Sequence, residues 1–387
     1  MDPLRRRDFI KLTGLAGAGA ALGGPLAAAG PASAGRPEAR RVPVRYPRPL
    51  RRGDTIGVTA PSAGVGADLE PRLEFCLDFL RAQGYGLRVG ECLRGDLIVS
   101  APARDRAAEL TAMLLDDGVA AVMPPWGGEL LVDILPLLDF ERLAAAAPTW
   151  FVGYSDLSTF MLPFTLLTGV ATIHGSCLLE APIRPPAPAL AWWGDVAGLA
   201  RGASFTQHAA DLYQDHDVDW AATPRATSFE RTAPVAWKVL GHEGDPGHRV
   251  TARGRLVGGT LDVIGTLPGT RYGDLDAFVR RRAPEGLLFY LDGCDLNPAQ
   301  YCRALHHLRL TGWFRHANAV LVGRTAAGDL REFTPRDALE DALGDLDVPV
   351  VYDMDVGHLP PQLTLVNGSL ATLTVSAAEK SLAQRLV

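Results

Sequence analysis

The sequence predicts an α/β protein in which an amino-terminal doubly wound parallel sheet is followed by a smaller, β-rich second domain. Three observations carry this. Between about residues 53 and 180, short apolar runs alternate with helix-periodic segments, the pattern of βα units feeding a parallel sheet. The first run, Ile56-Gly57-Val58-Thr59-Ala60, stops at the turn Pro61-Ser62-Ala63-Gly64, and open α/β sheets place ligands at such carboxyl ends. Past residue 180 the character changes to Pro, Trp, His and Asp in irregular order, and a second domain with short strands is expected over 253–378.

Each element has its own signal. A helix is expected over about 68–83, because Leu69, Leu73, Cys76, Leu77 and Leu80 share one face. A strand near YGLRVG, a helix near 104–117, a strand at AAVMPP, a helix at ELLVDILPLL, a strand at TWFVGY and a helix at LSTFMLPFTLLTG complete the first domain. Residues 181–252, including IRPPAPALAWWGD and HEGDPGH, read as a connector with one helix at about 188–200. In the second domain, short strands are expected in ARGRLVGGTLDVIGTLPGT. A strand at GLLFYLD, a helix over about 298–311 and strands at AVLVGR, VPVVYDM and ATLTVS follow. No internal repeat is present.

Composition sets the class. The chain has 387 residues, 47% hydrophobic and 21% charged, enough for two domains and a sizeable core. Its net charge is −6; residues 1–34 hold four basic and two acidic groups, so the remainder stands at −8. Such a surface disfavours nucleic acid. Residues 1–34 read as an address: Arg6-Arg7-Asp8-Phe9-Ile10-Lys11 has the twin-arginine arrangement, a Gly/Ala-rich segment follows, and Ala32-Ser33-Ala34 is a small-residue site predicting cleavage near Gly35. A retained anchor is the alternative, but the glycines and Pro25 make residues 12–30 a weak span. Residues 35–52, rich in Arg and Pro, read as a solvated leader. The five cysteines, Cys76, Cys92, Cys177, Cys294 and Cys302, lack CxxC spacing and read as buried small hydrophobes.

The most informative stretch is PTWFVGYSDLSTF. A strand that breaks at Gly153 and hands over to a helix forces Ser155 into a tight corner, where its hydroxyl stands clear of the backbone. A nucleophile elbow of the GxSxG type is not met, because the second glycine is missing. On these residues alone, Ser155-Asp156 reads as a helix N-cap before it reads as a catalytic pair.

Several segments together resemble one family. PPWGGELLVDILPLLDFERL, PTWFVGYSDLSTFMLPFTLLTGVATIHGS, GRLVGGTLDVIGTLPGTRY, GLLFYLDGCD and VYDMDVGH occur in the order seen in the LD-carboxypeptidase family of serine peptidases (family S66). Trp126-Gly127-Gly128-Glu129 and the long connector look more like its microcin-immunity (MccF-like) branch. The resemblance spans about residues 53–376. It implies Ser155 as nucleophile, His358, after Gly357, as general base, and Asp292 as the acid that orients the imidazole. The family has glutamate at that last position, so the aspartate is one methylene short, and Asp295 is a substitute candidate. Backbone N–H groups of Gly127 or Gly128 and of Asp156 would hold the oxyanion. Trp126 would line the pocket, and Glu129 would meet a cationic group of the substrate.

Other readings stand beside these. His358 could be a loop histidine; Asp353, Asp355 and His358 could suggest a metal site, without a second ligand cluster to support it. His174 reads as structural or substrate-lining. Gly258-Gly259-Thr260 lacks the remainder of a phosphate loop. Trp192 and Trp193 either pack a helix or stack on a nucleobase. The resemblance implies a barrel-like carboxyl-terminal domain, a site in the cleft between the domains and no cofactor. It implies a small peptide or cell-wall fragment as substrate, cleaved at an L,D-amide through an acyl-enzyme. The expectation is an exported homodimer without a stable membrane span. Alternatives are hydrolysis of microcin-like peptidyl or aminoacyl nucleotides, and a catalytically silent binding protein of the same fold.

Overall fold

The alternation over residues 53–180 folds into a parallel sheet. The computed structural model describes residues 41–185 and 188–387, all within one compact unit; the twin-arginine signal expected at 1–34 and the first part of the expected leader, 35–40, lie outside the described residues. The first layer runs β1 (Thr55–Val58), α1 (Glu70–Ala82), β2 (Gly86–Val89), α2 (Ala103–Leu114), β3 (Val119–Val122), α3 (Phe140–Ala145), β4 (Trp150–Gly153), α4 (Ser158–Thr168) and β5 (Thr172–His174). Strands β3 and β4 are buried along their whole length, as sheets covered on both faces require. β2, at the edge, is largely exposed.

The second part contains α5 (Trp193–Ala197), β6 (Ser204–His208), β7 (Leu212–Tyr213), β8 (Ala233–Pro234), β9 (Lys238–Val239), β10 (Val250–Thr260), α6 (Leu261–Ile264) and α7 (Leu275–Arg282). It continues with β11 (Leu287–Asp292), α8 (Pro298–Leu310), β12 (Ala317–Gly323), α9 (Pro335–Leu343), β13 (Val350–Met354), β14 (Leu365–Asn367), β15 (Leu370–Val375) and β16 (Lys380–Arg385). Eight strands pair in the order β6-β16-β15-β10-β11-β12-β13-β9. Neighbours from β10 to β13 are parallel and the outer pairs antiparallel. The connector is therefore less irregular than its composition suggests, since β6 and β9 both belong to this sheet.

One strand crosses between the layers. β14 pairs antiparallel with β5, Leu365 opposite His174, and completes the order β14-β5-β4-β3-β1-β2. Helix α4 explains how the layers meet. It is apolar nearly all round, and its Phe160, Met161 and Leu162 belong to the same core cluster as Val257 of β10 and Phe289 and Leu291 of β11. A helix without a polar face must be buried on every side. Gly259 allows the approach: a methyl there would lie 2.7 Å from Ser158 Cβ.

Three local expectations need correcting. Residues 131–137 form a 3₁₀ helix with Pro136 inside it, because proline removes an amide and crowds the preceding turn. The segment 41–52 is no solvated leader: Val44 and Leu50 are buried, Tyr46 Oη donates to Gly368 O at 2.8 Å, and Arg45 Nη2 donates to Ala146 O at 2.6 Å. The connector helix shrinks to five residues at α5.

Candidate active site

The corner after β4 is as strained as its sequence suggests. Ser155 has φ 63°, a left-handed conformation that non-glycine residues adopt rarely. It opens a single 3₁₀ turn, Ser155–Leu157, before α4, and neither that turn nor α4 has a side-chain N-cap. The hydroxyl is thus free of capping duty, and His358 Nε2 lies 3.0 Å from Ser155 Oγ.

Behind the imidazole, His358 Nδ1 lies 2.7 Å from Asp292 Oδ2. Asp292, the last residue of β11, is wholly buried. It accepts two further hydrogen bonds, from Thr260 Oγ1 at 3.1 Å and from the Cys294 amide at 3.0 Å. The missing methylene is recovered by the loop that carries His358. Gly357 has φ 94°, and a methyl there would sit 2.0 Å from Asp292 Oδ1, so only glycine brings the histidine this close. Asp295 makes no such contact; it lines the cavity instead.

The charges are coupled. Burial alone would raise the Asp292 carboxyl, but the His358 imidazolium and the hydrogen bonds outweigh it and hold the group below its usual range. Burial would lower His358; the Asp292 carboxylate overrides it and raises the imidazole well above the ordinary histidine value. With Nδ1–H donated to Asp292, Nε2 of neutral His358 is left to accept the Ser155 proton.

Asp156 acts through its side chain as well as its position. The buried carboxylate accepts from Ser62 Oγ at 2.5 Å, Leu131 N at 2.8 Å and Thr159 Oγ1 at 3.2 Å. It ties the corner to the turn after β1 and to the Gly127-Gly128 loop. A methyl on Gly127 would lie 2.8 Å from Ser155 Oγ and 2.9 Å from the Asp156 amide nitrogen. The bare glycine therefore lets main chain approach the place where a negative oxygen would form. Trp126 Nε1 donates to Gly64 O at 3.1 Å.

Ser155 and His358 face a cavity of about 490 Å³, which Trp126, Gly127, Gly128 and Glu129 also line. The lining residues not foreseen include Tyr154, Glu180, Trp220 and Cys294. Tyr154 Oη donates to Glu180 Oε1 at 2.8 Å. Trp220 lies under the guanidinium of Arg72, 4.1 Å from the ring centre, and no local pattern in the connector singles it out. Cys294, with φ 47°, brings Sγ to 3.6 Å from His358 Nε2. It and Cys302 are only half-buried, so the reading of all five cysteines as buried hydrophobes holds for Cys76, Cys92 and Cys177 alone. The DGCD context beside Asp292 was the available signal.

The alternative readings separate cleanly. Asp353 pairs with Lys238 at 2.8 Å, while Asp355 accepts from Arg324 at 2.8 Å and Trp237 at 2.7 Å, so neither turns toward His358 as a co-ligand. His174 is buried without a hydrogen-bond partner on either ring nitrogen. Burial pulls its pKa down to about 4, leaving it neutral between Tyr154 and Tyr290; it does not line the cavity. Trp192 and Trp193 are buried packing residues. Gly258 lies within β10, where a methyl would meet Tyr290 O at 1.9 Å, so its glycine serves the close approach of β11.

Comparison with known proteins bears on most of the chain. Residues 56–175 match the model of the LD-carboxypeptidase N-terminal domain and residues 253–373 that of the LD-carboxypeptidase C-terminal domain. A Streptomyces coelicolor protein named as a carboxypeptidase is 31% identical over 331 residues, 84% of this chain and 92% of that one. A Bacillus subtilis protein named as a murein peptide carboxypeptidase is 27% identical over 340 residues, 87% of this chain and 92% of that one. The structure of MccF in complex with glutamyl sulfamoyl guanosine superposes with a TM-score of 0.72 at 20% identity, covering 88% of this chain and 98% of that one.

Proposed function

Because this chain belongs to the LD-carboxypeptidase family, we propose that it is a serine carboxypeptidase cleaving an L,D-amide bond in a small murein-derived peptide. The observation that carries this reading is the relay Ser155 Oγ, His358 Nε2 at 3.0 Å and His358 Nδ1 to Asp292 at 2.7 Å, open to the cavity.

Ser155 Oγ attacks the carbonyl carbon as its proton passes to His358 Nε2, and Asp292 stabilises the imidazolium that forms. Backbone N–H groups at Asp156 and the Gly127-Gly128 loop hold the oxyanion; one such donor is typically worth about 2.7–4 kcal/mol. The intermediate collapses when the C–N bond breaks and His358 protonates the departing amine. Water then attacks the acyl carbon, giving a proton to His358, and the C–O bond to Ser155 breaks as that proton returns to Oγ. Carboxylic acid and amine leave, and the serine is regenerated.

The twin-arginine leader supports an extracytoplasmic site of action and a wall-derived substrate. Family resemblance supports a homodimer, which light scattering would measure. A second reading, hydrolysis of peptidyl or aminoacyl nucleotide conjugates, is favoured by one observation: Trp220 lines the cavity and offers a flat aromatic face. A silent binding protein loses its main support, since the shorter Asp292 reaches the imidazole. Incubation with a fluorophosphonate, followed by mass spectrometry, should find the label on Ser155 and none in His358→Ala. A panel of L,D-, D,D- and nucleotide-linked substrates should give release of a D-amino acid from the L,D members. Turnover of the nucleotide conjugates alone would replace the murein reading by the second one.

A further inference from the structure

Away from the cavity beside Ser155, the described residues bring together two groups of three side chains whose donor atoms lie within 4.8 Å of one another: His242, Asp245 and His248, and Cys302, His306 and Asp341. They are built differently. His242 and His248 stand on successive turns of HEGDPGH, and their imidazoles lie flat against each other, ring centres 3.7 Å apart and planes 7° from parallel. A ring nitrogen's lone pair lies in the ring plane, so two stacked rings direct their lone pairs side by side rather than toward one ion.

The second group already converges. Cys302 and His306 are four residues apart on α8 and share a face. Asp341 reaches them from α9, which packs alongside: its Oδ1 lies 2.7 Å from His306 Nε2 and accepts from Cys302 Sγ at 3.5 Å. On a tetrahedral Zn²⁺ with ordinary bond lengths, a thiolate sulfur and a carboxylate oxygen stand about 3.5 Å apart, and an imidazole nitrogen and a carboxylate oxygen about 3.3 Å. The first separation exists as it stands, and the second asks the half-exposed imidazole to swing back by about 0.6 Å. The hydrogen-bonding protons occupy the place an ion would take.

The sulfur is not a nucleophile in its own right. Burial, and after it the Asp341 carboxylate, push the Cys302 thiol up to about 11, so it stays protonated at neutral pH. A bound dication reverses this: the thiol proton leaves to solvent, and thiolate and carboxylate together balance the two positive charges.

We propose that Cys302, His306 and Asp341 hold one divalent transition-metal ion, Zn²⁺ by the softness of the donor set, with water completing the tetrahedron. The site is separate from the proposed reaction, since none of the three lines the cavity beside Ser155. The ion fastens α8 to α9, two helices that share one core cluster with β12.

The test titrates Co²⁺ and then Zn²⁺ into the untagged full-length protein, reduced and stripped of metal. One equivalent of Co²⁺ should produce a sulfur-to-cobalt charge-transfer band together with the intense visible bands of tetrahedral cobalt, and one equivalent of Zn²⁺ should bleach both and raise the melting temperature. Cys302→Ser should lose the charge-transfer band. His306→Ala and Asp341→Ala should each weaken Zn²⁺ binding by at least the roughly 10–100-fold that follows loss of an outer-shell partner, with each fold checked by circular dichroism. Two controls should keep the band: the His242→Ala/His248→Ala double variant, and Cys294→Ser, which removes the other thiol near an imidazole, 3.6 Å from His358 Nε2. No charge-transfer band at one equivalent, its survival in Cys302→Ser, or its loss in either control overturns the proposal.

Discussion

The two halves of the relay are held by different means. On the amino-terminal side, Ser155 is placed by main-chain geometry: a left-handed residue between a buried strand and a buried helix, pinned through the Asp156 carboxylate. On the carboxyl-terminal side, Asp292 and His358 are placed by side chains, with Thr260 behind the carboxylate and a buried Arg324–Asp355 pair under the histidine loop. Arg324 Nη2 also donates to Leu359 O and Pro361 O, just past His358. The proposed nucleophile is set by local conformation, and the groups proposed to activate it by long-range polar contacts. Damage to the first should abolish the reaction; damage to the second should retune or loosen it.

That contrast can be pressed in order of size. Ser155→Ala should lower kcat by about 10⁴–10⁶-fold with the fold intact by circular dichroism. Asp292→Asn should lower it by about 10⁴-fold and also move the pH profile. The carboxylate raises His358, and only neutral imidazole accepts the serine proton. Activity therefore climbs as pH rises through the His358 pKa, and removing the charge should shift that rising limb to lower pH. Asp355→Ala leaves the Arg324 guanidinium buried and unpaired, and should cost about 3–5 kcal/mol of stability in denaturant titration. Gly357→Ala should lower kcat by about 10²-fold, as misplacement near 1 Å does, while the melting temperature falls only slightly. Thr260→Val should be mildest, about 1–3 kcal/mol from a donor lost behind the Asp292 carboxylate. If Asp355→Ala proves more damaging to kcat than Asp292→Asn, the division between placement and activation fails.

The same contrast explains what could be read beforehand. The β4 corner, the buried α4 and the alternation of the first domain are local patterns, and the sequence expresses them directly. Asp292 and His358 are 66 residues apart and drew attention only through ordered motifs; nothing near either one states that they meet. Helix α9 was missed although Thr334, Pro335 and Asp337 form a capping box with proline at the first turn. Residues 41–52 misled by composition: four arginines and two prolines dominate the segment from Val44, yet Val44, Tyr46 and Leu50 anchor it. Trp220 and β14 depend on topology, which no short window contains.

Strand β14 has a consequence for how such a chain is made. The sheet that begins at Thr55 is closed on one border only by Leu365–Asn367, a strand drawn from the far side of the second layer in the chain order. A nascent chain halted before that point has an unsatisfied strand border at β5, an invitation to aggregation, and its serine has not yet been joined by a finished imidazole loop. The border of the first sheet and the proposed relay are therefore completed by one stretch, residues 350–367, and a chain halted before it carries neither.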